Sequence, residues 1–252
     1  AATYFDDQVS PAEGTSSEEF YQIYHKFGYD QAVSRASDSL SYVYRLDEKY
    51  WLMMLDSCMC EPVHETGGKL SEETVAWMKT QLEEAKKQGV TVIPVSHHNL
   101  LDESTLYPEE CTIENTKEVT ALLEAYGVPV YLSGHLHLQR IKKHTSNLNT
   151  PGGYGIREIV TSPLPMAPCQ YSILNWQADG SLSYHTKKVD IAGWAQRYGE
   201  EDENLLNFDA YADQFLVDVI SEQTFKALQS ASKDIKEEMA RLYADMNRDY
   251  CS

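Results

Sequence analysis

The chain has 252 residues, with 21 Lys and Arg against 39 Asp and Glu, which gives a formal charge of −18 with histidine neutral. So acidic a surface repels phosphate backbones and anionic lipid headgroups, which disfavours nucleic acid or a membrane surface as the main partner. At 42% hydrophobic and 24% charged residues the composition is that of an ordinary soluble globular protein, large enough for one domain or one and a half, and excludes disorder as the main state.

Residues 1 to about 40 read as polar and irregular, except for a helix over 18–27, where Phe20, Ile23, Tyr24 and Phe27 recur at helical spacing before Gly28. Segments 41–46 and 49–56 read as two strands joined by a tight turn at Asp47-Glu48. The run Tyr50-Trp51-Leu52-Met53-Met54-Leu55 is apolar on both faces, which places it inside a sheet covered on both sides. Ser71 is an N-cap followed by Glu72 and Glu73; Val75, Met78, Leu82 and Ala85 mark an apolar helix face, and Gly89 ends the helix. Segment 90–95 is a short apolar strand in which Pro94 must sit near the end or at an irregular position, because proline cannot donate to a ladder. A helix over 114–126 turns Val119, Leu122, Leu123 and Tyr126 inward and stops at Gly127, and 128–132 is the next strand.

This order predicts an α/β fold of layered mixed β-sheets flanked by helices, with strands 90–95 and 128–132 parallel through a right-handed crossover. Segments 156–160, 170–176 and 181–187 read as further strands, the last two joined by a hairpin turn at Ala178-Asp179-Gly180, so the later part of the sheet is expected to be antiparallel. From about Glu200 the charges become dense, and 204–221 and 232–248 read as helices. Leu205, Phe208, Phe215, Leu216, Val219 and Ile220 give the first helix a buried side. Ile235, Met239, Leu242, Tyr243 and Met246 give the second a stripe that reads as core unless its docking surface lies outside this sequence. The expected organisation is an α/β part over 1–198 and a helical extension over 199–252. No apolar run approaches the ~18 residues that span a bilayer, and the compartment stays open between cytoplasm and an exported or envelope location.

Four of the eight histidines fall in two clusters. Ser96-His97-His98-Asn99-Leu100 follows strand 90–95, and Ser133-Gly134-His135-Leu136-His137 follows strand 128–132. Ligands of open α/β sheets bind beyond the carboxyl ends of the strands, so both clusters are expected to point into one crevice. Imidazole is a common ligand for zinc, iron and manganese, and a His-x-His pair places two rings on one side of an extended segment. Gly134 leaves room for backbone near an ion. A lone histidine reads as a satisfied loop residue; two clusters after adjacent strands read as a metal site. His25, His64, His144 and His185 read as surface residues. The five cysteines, Cys58, Cys60, Cys111, Cys169 and Cys251, form no Cys-x-x-Cys pair, and Cys58 and Cys60 read as ordinary thiols at a strand end.

Two other His-x-His types do not fit. The metallo-β-lactamase pattern His-x-His-x-Asp-His fails because Leu138-Gln139-Arg140 follows His137, and the amidohydrolase type needs more strand–helix units than remain. The chain instead resembles the calcineurin-like metallophosphoesterase family. His97-His98-Asn99-Leu100 is similar to that family's strand-ending His-His-Pro-Leu, Gly134-His135-Leu136-His137 to its Gly-His-x-His, and Leu55-Asp56-Ser57 to its Leu-Asp-Ser strand end, in order, over about residues 40 to 190. The resemblance implies a metallophosphoesterase-like sandwich that hydrolyses phosphomonoesters or phosphodiesters with two divalent ions of the Mn, Fe or Zn class, ~3.5–4 Å apart. It implies His97 and His135 as ligands of one ion and His137 as a ligand of the other, with His98 and Asn99 behind the ligands or toward substrate. Paired ions would offset charge on the phosphoryl oxygens and activate a bridging water for in-line attack.

The family's first-half motifs, Asp-x-His, Gly-Asp-x-x-Asp and Gly-Asn-His-Asp/Glu, have no counterpart here: no Asp-x-His occurs and no Gly precedes Asp or Asn. Neutral imidazoles alone neither bridge two divalent ions nor offset their charge. Two readings follow. The chain is the C-terminal part of the catalytic domain plus a helical extension, inactive by itself with no catalytic residue assigned, whose partners are a small phosphoester and the missing N-terminal half of the domain. Alternatively it is a non-catalytic binding module on the same fold with at most one weak metal site. An unpaired sheet edge also leaves self-association open.

Overall fold

The computed structural model describes residues 2–5, 8–11, 14–60, 65–102, 109–144, 155–177, 179–228 and 233–251. Strands β1 (Ala2–Phe5) and β2 (Gln8–Pro11) pair as an antiparallel hairpin where the sequence reads as irregular. Helix α1 (Ser17–Tyr24) is shorter than predicted; the Ser16 hydroxyl accepts from the Glu19 N–H while the Glu19 carboxylate reaches back to the Ser16 backbone, so both ends of the first turn are satisfied. The apolar residues of the predicted stretch form no core: Ile23 on the helix and Phe27 beyond it stay mostly exposed.

The central sheet contains β3 (Ala32–Arg35), β4 (Tyr42–Arg45), β5 (Tyr50–Met54), β6 (Thr91–Val95), β7 (Val130–Ser133), β8 (Arg140–Lys143) and β9 (Arg157–Val160), in the order β3-β4-β5-β6-β7-β9-β8. The β3, β4 and β5 pairings are antiparallel, and those from β5 through β6 and β7 to β9 are parallel. The Asp47 carboxylate accepts from the Lys49 and Tyr50 N–H groups and so closes the predicted turn. Strand β5 lies inside the sheet as expected, with Trp51 and Met53 buried and Leu52 and Met54 half-buried, so its second face is only partly covered.

Helices α2 (Glu72–Gln88) and α3 (Thr116–Ala125) connect β5 to β6 and β6 to β7. Ser71 caps α2 by accepting from the Thr74 N–H, and Gly89 ends it in the left-handed region at φ 69°. The predicted face is the observed one: Val75, Met78, Leu82 and Ala85 pack with Val43, Trp51, Met53, Val119, Leu123 and Tyr131 in one core. Burying an aliphatic side chain of this size contributes about 1.5–3 kcal/mol, which is why the pattern decides the helix position. Pro94 pairs in register with Met53, while the β6–β7 ladder is reduced to Val95 opposite Leu132, the irregularity its missing N–H requires.

Strand β9 runs parallel to β7, and the antiparallel pairing expected for the later strands is found in a separate hairpin, β10 (Gln170–Trp176) with β11 (Leu182–Lys188), outside the central sheet. Of the hairpin turn, Ala178 lies outside the described residues, as do His64 and Ser232. The chain continues through α4 (Ile191–Tyr198), α5 (Glu203–Leu206), α6 (Phe208–Ala227) and α7 (Lys233–Cys251). Leu216 and Ala212 of α6 pack with Ala167 and Cys169, whereas Phe215, expected inside, is mostly exposed. On α7 the buried positions are Ala240 and Ala244, and Ile235, Met239, Leu242, Tyr243 and Met246 face outward. The smallest residues, not the largest, make the contact. Two compact units result: Ala1–His135 with Ile141–Val160, and Leu136–Arg140 with Thr161–Ser252. Among the described residues no helix is long and apolar enough to cross a membrane.

Candidate functional site

Strands β6 and β7 are neighbours and parallel, so the loops that follow them leave the same edge of the sheet. This brings His97 and His98 beside His135: ring centroids are 5.0 Å apart for His97 and His98, 4.9 Å for His97 and His135, and 4.9 Å for His98 and His135. One potential ligand atom from each of the three lies within 4.8 Å of the others. His135 Nδ1 is 2.9 Å from His97 Nε2, and the Gly134 N–H donates to the His97 carbonyl at 3.0 Å. The predicted convergence of the two clusters therefore holds for these three residues. His137 lies in the other compact unit and is exposed.

His98 is held differently from its neighbours. It is 3% exposed, with Nδ1 2.9 Å from the Ser57 hydroxyl and Nε2 3.0 Å from the Thr66 carbonyl. A carbonyl only accepts, so Nε2 carries the hydrogen and Nδ1 accepts from Ser57. Both ring nitrogens are thus engaged. Proximity alone would make His98 a third ligand, but its hydrogen bonds make it a wall of the site behind His97 and His135. Gly68 is shaped to it: a Cβ there would sit 2.3 Å from His98 Cγ. Gly134, in contrast, has only ordinary contacts with protein atoms, with the His97 carbonyl 3.8 Å from where its Cβ would be.

Backbone strain marks the second loop. His135 and His137 adopt φ 65° and 57°, in the left-handed region that costs a non-glycine residue about 1–2 kcal/mol. What holds this loop is a buried polar network. Asn99, fully buried, donates from Nδ2 to the Ser133 hydroxyl at 2.9 Å and to the Gly134 carbonyl at 3.3 Å. Glu158 on β9, also 0% exposed, accepts from the Leu100 N–H at 2.7 Å, the Leu101 N–H at 2.6 Å and the Ser133 hydroxyl at 2.6 Å. Next to this network, Tyr131 donates to the Ser96 hydroxyl, which donates to the His98 carbonyl. Burial pushes the Tyr131 phenol above its usual range, and Glu158 adds to the effect. Asn99 is therefore a brace for the histidine loop. Glu158, Tyr131 and Gly68 belong to none of the sequence motifs, and the one available signal is a glutamate inside the apolar run Ile156-Arg157-Glu158-Ile159-Val160.

The donor set fits one borderline ion better than two. In tetrahedral coordination with Zn–N of 2.0–2.1 Å, two ligand nitrogens stand about 3.3 Å apart. The pair His97 Nε2 and His135 Nδ1, at 2.9 Å, reaches that spacing by opening a few tenths of an ångström. The group holds no carboxylate among the described residues, and hence nothing to bridge a second ion. Cys58 and Cys60 are exposed, but burial of the sulfur, Asp56 and a hydrogen bond with Cys60 push the Cys58 thiol up to about 11, which leaves little thiolate at neutral pH. Of the histidines read as surface residues, His25 pairs with Asp30 and His144 with Glu124, and His185 is exposed.

Comparison with known proteins adds two similarities. A sequence family described as the C-terminal domain of cyclic nucleotide phosphodiesterase matches residues 190–252. No curated protein matches the chain. Among solved structures, a dimetal phosphatase from Danio rerio aligns with a TM-score of 0.39 and 13% sequence identity, over 51% of this chain and 52% of that one. The chain thus spans about half the length of that structure. What the chain shows is thus a similarity of residues 190–252 to a phosphodiesterase C-terminal domain, and an α/β sheet that carries a histidine cluster compatible with metal.

Proposed function

We propose that this chain carries the histidine part of a metal-dependent phosphoesterase site of the calcineurin-like type, with His97 and His135 as ligands of one divalent ion. The observation that carries this reading is the 2.9 Å approach of His97 Nε2 to His135 Nδ1 at the carboxyl ends of two adjacent parallel strands. Bound there, a divalent ion supplies Lewis acidity toward a phosphoryl oxygen and a more acidic water. The chain's own residues hold the two imidazoles: Ser57 and Thr66 fix the His98 ring behind them, and Asn99 and Gly134 fix the loop that presents His135. His137 serves as a metal ligand in the complete enzyme, to which an N-terminal half of the domain contributes carboxylates. Within this organisation residues 1–198 belong to the catalytic domain and 199–252 form the helical extension. The similarity of residues 190–252 to a phosphodiesterase C-terminal domain favours a phosphodiester over a monoester as substrate.

A second reading rests on the absence of a carboxylate from the histidine group among the described residues: taken by itself the chain is a binding module with one weak metal site. The two readings separate on a complete enzyme that contains this sequence. The phosphoesterase reading expects metal-dependent turnover of bis(p-nitrophenyl) phosphate that disappears in His97→Ala and His137→Ala while the fold persists. No metal-dependent turnover of that ester or of p-nitrophenyl phosphate would overturn it.

A further inference from the structure

We infer that Glu158 is the positioning residue that sets the separation of His97 and His135, acting from a strand that carries no histidine. This inference rests on the metal-site reading given above and concerns how the chain builds that site.

The geometry is that of a single clamp on two loops. Leu100 and Leu101 follow the His97-His98-Asn99 run, and their N–H groups donate to the two different oxygens of Glu158, at 2.7 and 2.6 Å. Ser133 stands two residues before His135 and donates to the first of these oxygens at 2.6 Å. One fully buried carboxylate on β9 therefore holds the chain just after one ligand and just before the other. A buried anion is costly unless donors surround it, and three donors aimed at it explain how it is tolerated. The apolar neighbours Ile156, Ile159 and Val160, all buried, show that a glutamate is not the residue that packing alone would put there.

The clamp also fixes the direction of the hydrogen bonds beyond it. Ser133 has one hydroxyl hydrogen, and a carboxylate can only accept, so that hydrogen goes to Glu158. The Ser133 oxygen must then accept from Asn99 Nδ2, which settles which way the Asn99 amide faces. The same Nδ2 reaches the Gly134 carbonyl, directly before His135, and Asn99 Oδ1 is left buried with no hydrogen-bond partner. An amide that leaves its own acceptor unpartnered is held by its neighbours, not by its own best arrangement. The order of control runs from Glu158 to Ser133, to Asn99, to Gly134 and the strained His135. Groups that orient metal ligands in this way typically change metal affinity 10- to 100-fold when removed.

Glu158→Gln keeps the size of the side chain but turns one acceptor into a donor that faces either the Leu100 or the Leu101 N–H. Ser133→Ala removes only the branch toward Asn99. Both are compared with the wild-type full chain and with a His97→Ala/His135→Ala control, by cobalt(II) titration and by long-range imidazole 1H–15N spectra without metal, with circular dichroism to confirm the fold. Cobalt affinity should fall about 10- to 100-fold in Glu158→Gln with a changed visible spectrum, and about 10-fold in Ser133→Ala. The His97 and His135 imidazole signals should move in both. Should Glu158→Gln fail to fold, Ser133→Ala decides the matter alone. Unchanged cobalt affinity and unmoved imidazole signals in a folded variant would overturn the role of Glu158. A wild-type chain that binds no cobalt would overturn the metal reading instead, and the imidazole spectra would still decide whether Glu158 sets the pair.

Discussion

The Ser57 hydroxyl lies 2.9 Å from His98 Nδ1, although 41 positions separate the two residues in the chain. Ser57 ends the Leu55-Asp56-Ser57 run after β5, so three consecutive parallel strands, β5, β6 and β7, each deliver a residue to the same place. The contact gives that short motif a physical role: it engages one ring nitrogen of His98 while the Thr66 carbonyl engages the other, which keeps both from competing as ligands.

Two glycines near this wall should behave oppositely. A Cβ at Gly68 would overlap the His98 ring at 2.3–2.4 Å, so Gly68→Ala should cost about 1–3 kcal/mol, as overpacking does, and displace His98. Gly134 has no contact closer than 3.8 Å to its would-be Cβ, so Gly134→Ala should change stability by less than about 0.5 kcal/mol. Urea denaturation of both variants checks the contrast; equal effects would contradict the packing described.

Tyr131 gives a pH-dependent test. Burial holds its phenol protonated to higher pH in the folded chain than in the unfolded chain, where tyrosine titrates near about 10. The folded state thus binds more protons above that pH, and this contribution to stability, fully present below about pH 10, is lost as pH rises. Tyr131→Phe should lower stability at pH 7 by about 1 kcal/mol through loss of the hydrogen bond to Ser96, and flatten the alkaline limb of a stability–pH curve. Denaturation at a series of pH values from 7 to 11 measures both.

The fold was legible where burial and period agree. Ser71, Gly89 and the Val75, Met78, Leu82, Ala85 face fixed α2, and the alternation of helix and strand gave the parallel centre of the sheet. Strands β3 and β8 were not legible: each has only four residues, in the burial pattern of an edge, and little apolar alternation. The histidine clusters were legible because they sit next to readable strands. Glu158 was not, since a single charge in a short apolar run has no period, and its donors come from residues 57 and 58 positions earlier and 25 positions earlier in the chain. The sequence-level reading of α7 as core failed because it weighed size: Ala240 and Ala244 allow close helix approach, and the large residues are left outside.

Exposure of that α7 stripe is itself testable. Leu242 and Met246 are 58% and 61% exposed, so Leu242→Gln and Met246→Gln should each cost less than about 0.5 kcal/mol. Ala244, fully buried, should not accept a larger side chain, and Ala244→Leu should cost about 1–3 kcal/mol. Losses of about 2 kcal/mol or more from the glutamine variants would instead place Leu242 and Met246 in a core. Chemical denaturation distinguishes the outcomes.

The central claim is that His97 and His135 together hold a divalent ion. The direct measurement is a zinc or cobalt titration of the full chain, wild type beside His97→Ala, His135→Ala and His98→Ala, followed by calorimetry and, for cobalt, by visible absorption. The account predicts one ion per chain, binding abolished by either the His97 or the His135 substitution, and binding weakened but retained in His98→Ala. Stoichiometric binding that survives loss of both His97 and His135, or no binding by the wild-type chain, would contradict it.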